Sequence, residues 1–148
     1  LPLHETQGGE AGQTVTLKDY LGKKNLLLAF YPKANTPGCT TQLCGYRDDW
    51  SMFEDNETAV IAISTDKQTS SDKFKEKYSL PMLVLGDPER EIIDAYGVKM
   101  NKLFKSAQRS VVLIDKQGVV RYVNYNYKIK DDKETLYQKI KEVTDERK

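Results

Sequence analysis

"NLLLAFYPKANTPGCTTQLCGYRDDWSMF", residues 25–53, passes from an unbroken apolar run through a proline-bounded loop into a helical pattern. Residues 25–31 show no polar alternation between the charge before them and Pro32 after them, which suits a strand buried on both faces. Leu43, Tyr46, Trp50 and Phe53 then fall at steps of three, four and three, the apolar stripe of a single helix. Both cysteines of the chain, Cys39 and Cys44, lie between strand and stripe.

The same alternation continues outward. "TAVIAIST" (58–65) reads as a second buried strand. "TSSDKFKEKYS" (69–79) reads as a polar helix packing Phe74 and Tyr78, with Ser70 or Ser71 at its cap. "MLVLGD" (82–87) is a third strand, and Pro88 opens a helix over "EREIIDAYG" that Gly97 ends. "RSVVLID", a Lys116-Gln117-Gly118 turn and "VVRYVNY" form a hairpin. A last helix runs from Asp132, with Leu136, Tyr137, Ile140 and Val143 on one face. Upstream, "LPLHETQGGEAG" is an irregular lead-in or hairpin punctuated by Gly8, Gly9 and Gly12, followed by a short strand "TVTL" (14–17) and a turn over "KDYLG".

The resulting order is β, β, α, β, α, β, α, β, β, α. It predicts an α/β fold with a central mixed sheet flanked by helices on both faces, and an antiparallel edge from the terminal hairpin. That pattern suits a thioredoxin-like fold and also admits a flavodoxin-like one. With 148 residues, no repeat and no linker, the chain reads as one domain over 1–148.

The net charge of +1 gives no broad field for nucleic acid or anionic membrane. No apolar run approaches the roughly 20 residues of a membrane helix. Two cysteines are too few for a disulfide-framed secreted domain, so a cytoplasmic, reducing setting is expected. The chain starts at Leu1 rather than Met, which leaves room for a removed targeting segment.

Three chemistries are open to the thiol pair. Zinc requires four ligands, and a single distant His4 does not complete a site with one cysteine pair. A static disulfide conflicts with the helix. Five residues along a helix rise ~7.5 Å and turn ~140°, placing the Cα atoms roughly 8.7 Å apart, beyond the ~7 Å reach of a disulfide. The sulfurs join only if the first turns unwind, which suits a switch. Cys39 falls near the core-facing stripe and Cys44 well off it, so one thiol is expected enclosed and the other accessible. A helix N-terminus at Cys39 favours the thiolate over the thiol. Thr36 can place a hydroxyl by the sulfur, Pro32 and Pro37 stiffen the approach, and Gly38 lets backbone come close to a small ligand. A nearby guanidinium would complete an anion-stabilising pocket.

"YPKANTPGCTTQLCGYRD" closely resembles the active-site segment of peroxiredoxins, and among them the peroxiredoxin Q or bacterioferritin comigratory protein group. The family's Pro, Thr or Ser, and Cys are matched by Pro32, Thr36 and Cys39. The offset to Cys44 is similar to the resolving-cysteine spacing of many of its members, and Arg109 in "QRSVVLID" matches the family's arginine. "GDPEREIIDAYGV" extends the likeness. Before Thr14 the chain departs, lacking the family's Ala-Pro-Asp-Phe opening.

The resemblance implies a thioredoxin fold and a thiol peroxidase acting on hydrogen peroxide and organic hydroperoxides. It implies that Cys39 attacks peroxide, becomes a sulfenic acid and condenses with Cys44 to an intramolecular disulfide. A thioredoxin or similar dithiol reductant then restores both thiols. Thr36 and Arg109 would orient the peroxide, with the backbone N–H groups of Gly38 and Cys39 assisting and Pro32 beside them. No metal, haem or flavin is implied, because sulfur carries the electrons. A monomer is favoured because the resolving thiol is internal. A protein thiol–disulfide oxidoreductase and a redox-sensing module are the alternatives. Arg47 is read as structural, His4 as exposed, Tyr46 and Trp50 as core. The tyrosines of "RYVNYNYK" are read as one sheet face and "KIKEVTDERK" as the wet side of a helix.

Overall fold

The computed structural model describes residues 6–7, 14–15, 20, 22–101, 103 and 105–145. In chain order the elements are β1 (Thr6–Gln7), β2 (Thr14–Val15), β3 (Asn25–Phe30), α1 (Pro37–Asp48), α2 (Trp50–Asp55), β4 (Thr58–Ser64) and α3 (Gln68–Tyr78). There follow β5 (Leu83–Gly86), α4 (Glu91–Ala95), β6 (Met100–Asn101), β7 (Ser106–Ala107), β8 (Ser110–Ile114), β9 (Val120–Asn124) and α5 (Ile129–Asp145). No described helix is long and apolar enough to cross a membrane.

The frame is a five-stranded mixed sheet in the order β5-β4-β3-β8-β9. β3, β4 and β5 run parallel, while β8 lies antiparallel to β3 and β9 to β8. The three strands at its centre are apolar nearly throughout because both faces are covered. Leu27, Ala29 and Tyr31 face a core shared with Leu43, Tyr46, Phe53, Phe74 and the Leu136, Tyr137, Ile140, Val143 stripe of α5. Leu26, Leu28 and Phe30 face Ile92, Ile93 and Tyr96. The expected mixed sheet with helices on both faces is therefore present, with α1, α2, α3 and α5 on one face and α4 on the other.

Several local expectations are corrected. The Leu43-to-Phe53 stripe spans two helices, because Asp49 leaves helical geometry (φ −98°, ψ 19°) between them. α3 starts after Lys67, and Ser71 is buried inside it rather than capping it. Pro88 lies in a turn before α4, whose N-cap is Arg90 in the left-handed region (φ 61°). The Asp87 carboxylate accepts the amides of Glu91 and Ile93 (3.0 and 2.9 Å) and caps that short helix. α5 begins at Ile129, three residues before Asp132. The β6–β7 pair was not legible as strands. β9 ends at Asn124, so Tyr125 and Tyr127 do not continue its alternation.

At the N-terminal side, β1 and β2 pair as a hairpin. His4, Gly8, Gly9, Gly12 and residues 16–19 of the expected strand and turn lie outside the described residues.

Candidate active site

β3 leaves the sheet at Phe30, and the following loop is tied down residue by residue. The Tyr31 amide still donates to the Ile63 carbonyl (2.9 Å). The Ala34 amide and the Ser64 hydroxyl both donate to Asp66 Oδ2 (2.7 Å each). Thr36 is extended at the N-cap position and Pro37 takes the first helical position, where its missing N–H costs nothing. Cys39 is thus the third residue of α1, fully buried. By helix geometry the amides of Gly38 and Cys39 have no acceptor within the helix and point toward its N-terminal end.

Arg109 precedes β8, and Ser110 pairs with Phe30. The antiparallel crossing brings the start of β8 to the exit of β3. There Arg109 Nη2 donates to Cys39 Sγ at 3.5 Å. Its Nη1 donates to Gln42 Oε1 (2.7 Å), and Gln42 Nε2 donates to Tyr46 Oη (3.3 Å). A methyl group at Gly38 would sit 3.1 Å from Arg109 Nη2, so the absent side chain there is what leaves the guanidinium its place. Pro32 and Arg109 line a cleft of about 380 Å³ with Asn101, Ser106, Ala107 and Gln108. Arg109 is common to the cleft and the buried thiol.

The Thr36 hydroxyl donates to the Lys33 carbonyl (2.7 Å) and caps no helical amide. That fixes the hydroxyl and leaves its lone pairs as acceptors. Cys44 is half-buried and leans on the core, less accessible than its angular position suggested. Both cysteines are free thiols. Arg47 has the structural place expected of it: it donates to the Tyr78 carbonyl (2.6 Å) at the end of α3 and pairs with Asp48 (3.1 Å).

Three neighbours escaped the sequence reading. Gln42 sits three residues after Cys39, on the same helix face, a relation a search for apolar stripes passes over. Asp66, just past the end of neighbouring β4, pins the loop. Tyr127, whose amide donates to the Arg109 carbonyl (3.0 Å), is buried beside Tyr46. Burial pushes the Tyr46 phenol up to about 12, partly offset by Tyr127, Gln42 and the Arg109 charge. Burial likewise raises Tyr31 and Tyr127. These phenols stay protonated around the site. Among the described residues no group of three or more His, Cys, Asp or Glu is placed to hold a metal ion.

Residues 2–123 match the AhpC/TSA family, a span that includes Pro32, Thr36, Cys39, Gln42, Cys44, Asp66 and Arg109. This chain belongs to the AhpC/TSA peroxiredoxins. Peroxiredoxin Bcp of Bacillus subtilis is 38% identical over 142 residues, covering 93% of this chain and 90% of the relative. Peroxiredoxin Bcp of Escherichia coli is 34% identical over 136 residues (88% and 86%). The chloroplastic peroxiredoxin Q of Triticum aestivum is 35% identical, covering 90% of this chain and 60% of its own length. Among solved structures, peroxidoxin BcpB of Mycobacterium tuberculosis superposes with a TM-score of 0.85 at 24% identity, covering 97% of this chain and 96% of that one. The Xanthomonas campestris bacterioferritin comigratory protein gives 0.84 at 22% (97% and 92%). The fold is thus thioredoxin-like, and this peroxiredoxin is a thiol peroxidase of the Bcp and peroxiredoxin Q type.

Proposed function

We propose that the chain reduces hydrogen peroxide and organic hydroperoxides through Cys39, resolves the product with Cys44 inside the same molecule, and is restored by a thioredoxin-like dithiol. The observation that carries this reading is Arg109 Nη2 at 3.5 Å from Cys39 Sγ, at the start of a helix that also holds the second thiol.

The peroxide enters beside Pro32 and Arg109. The Cys39 thiolate attacks one oxygen, so the S–O bond forms as the O–O bond breaks. The departing oxygen gains negative charge, which the guanidinium and the amides of Gly38 and Cys39 stabilise until it takes a proton from solvent and leaves as water or an alcohol. Thr36, its hydroxyl committed to Lys33, offers an acceptor to the peroxide O–H. Gln42 holds the guanidinium in plane. The sulfenic acid then condenses with the Cys44 thiol, forming Cys39–S–S–Cys44 and water. With α1 continuous from Pro37 to Asp48, this step requires its first turns to open. A dithiol reductant reopens the disulfide by exchange. Reduction of alkyl peroxides by the Xanthomonas relative supports the organic substrates. We further take residues 1–148 as one domain, acting as a monomer because both thiols belong to one chain, in a reducing compartment such as the cytoplasm.

The test is peroxide consumption driven by thioredoxin, with intact mass after one equivalent of peroxide. Cys39→Ser is expected to fall to background. The unsubstituted protein should lose two hydrogens, and Cys44→Ser should gain one oxygen and stop. Normal turnover by Cys39→Ser would overturn the assignment.

A further inference from the structure

Each glycine described in this chain except one has a visible reason to lack a side chain. Gly22, Gly97 and Gly118 are left-handed (φ 77°, 72° and 83°). At Gly38 a methyl group would press on Arg109, and at Gly86 on the Asp66 carbonyl. Gly45 is the exception. It lies inside α1 in ordinary helical backbone, and a methyl group built there meets nothing within 4 Å. Alanine would fit and favour the helix; glycine disfavours it.

Its position gives that cost a use. Gly45 directly follows Cys44, between the part of α1 that carries both thiols and the part that carries Tyr46 and Arg47. Beyond it the helix is fastened. Tyr46 is buried against Phe53 and Tyr137 (ring centroids 5.6 and 6.4 Å). Arg47 holds the Tyr78 carbonyl, and Asp49 accepts from Tyr137 Oη (2.8 Å) and Lys133 Nζ (3.5 Å). Before it, Cys39, Gln42 and Leu43 are buried and Arg109 donates to Cys39 and Gln42, while Thr40 and Cys44 are half-buried and Thr41 is exposed. The Thr41 hydroxyl donates back to the Pro37 carbonyl (2.9 Å), a bond that competes with the helical one.

We infer that Gly45 is a built-in weak point that sets how readily residues 37–45 open, and through that the rate at which Cys44 reaches the Cys39 sulfenic acid. The inference rests on the proposed intramolecular resolution. While the sulfenic acid waits, a second peroxide can oxidise it to a sulfinic acid, transferring one oxygen and releasing water or alcohol. The opening rate therefore also sets the peroxide dose at which the enzyme is lost.

The test compares the unsubstituted protein, Gly45→Ala and Ser70→Ala, the last a helix-favouring change at an exposed position of α3, outside the helix that carries the thiols. After rapid mixing with peroxide, quenched samples are weighed for thiol, sulfenic, disulfide and sulfinic forms. In Gly45→Ala, disulfide formation should slow about five-fold, the factor for ~1 kcal/mol of helix preference. The sulfinic form should appear at correspondingly lower peroxide, and the bimolecular step that forms the sulfenic acid should keep its rate. Ser70→Ala should match the unsubstituted protein in all of these. Equal disulfide rates in Gly45→Ala and the unsubstituted protein overturn this inference alone. A sulfenic acid that never yields the disulfide in the unsubstituted protein overturns the intramolecular scheme and this inference with it.

Discussion

On one face of the sheet Leu27, Ala29 and Tyr31 meet α1, α2, α3 and α5; on the other Leu26, Leu28 and Phe30 meet α4. The first face is aromatic and polar-tipped. Tyr31, Tyr46, Phe53, Phe74 and Tyr137 touch ring to ring at 5.5–6.4 Å, and Gln42 is buried among them. The second face is largely Leu, Ile and Val. Aliphatic packing is non-directional and asks only for volume and apolarity. Ring edges, hydroxyls and an amide fix orientation as well, and Gln42 among them holds the guanidinium of Arg109, which donates to Cys39 Sγ. The molecule thus separates general stability from the placement of Cys39 and Arg109.

The largest effect should come from breaking the site on the first face. Arg109→Ala is expected to lower peroxide kcat/KM about 10²- to 10³-fold, the scale of losing one charge-stabilising donor group. Its melting temperature should fall modestly, because Gln42 Oε1 loses its partner. Stopped-flow peroxide kinetics and thermal unfolding read the two separately. On the second face, Ile61→Ala removes a fully buried side chain from the core that does not hold the thiols and should cost about 2–5 kcal/mol of stability in denaturant unfolding. Activity per folded molecule should stay unchanged. Loss of activity in folded Ile61→Ala would show that the two faces are coupled.

The smallest effect is alkaline. Unfolded tyrosine ionises near pH 10, and in the fold burial raises Tyr46 to about 12. The unfolded state gives up its proton first, so stability is full below pH 10 and falls as pH rises through 10 toward 12. Tyr31, Tyr46, Tyr127 and Tyr137 carry such raised phenols on the first face and Tyr96 on the second. Tyr46→Phe should make the loss of the urea midpoint between pH 8 and 10.5 shallower. An unchanged slope would mean the buried phenols do not govern alkaline unfolding.

The fold was legible where burial imposes a period. β3, β4 and β8 announce themselves as apolar runs, and α5 as a four-residue stripe. The family was legible from Pro32, Thr36, Cys39, Cys44 and Arg109 together. What stayed hidden depends on angles and on distant partners. The break at Asp49 keeps the apolar spacing of one helix while interrupting its backbone. The start of α4 is set by the Asp87 carboxylate rather than by Pro88. Gln42 and Asp66 are ordinary polar residues until the sheet brings Arg109 and Ala34 against them. No local pattern could reveal that Thr36 spends its hydroxyl proton on Lys33.

The five backbone rungs from Leu26–Ile114 to Phe30–Ser110 serve as a ruler between sulfur and guanidinium. Their owners are 70 positions apart in the chain, yet loop length has little say in their spacing. A residue inserted near 88–89 lengthens a turn. The same insertion within β8 slides the ruler by one notch, about 3.4 Å, and turns Arg109 toward the opposite side of the sheet. Tolerance to length change should therefore be sharply uneven along this protein, generous at its bends and nil across those rungs.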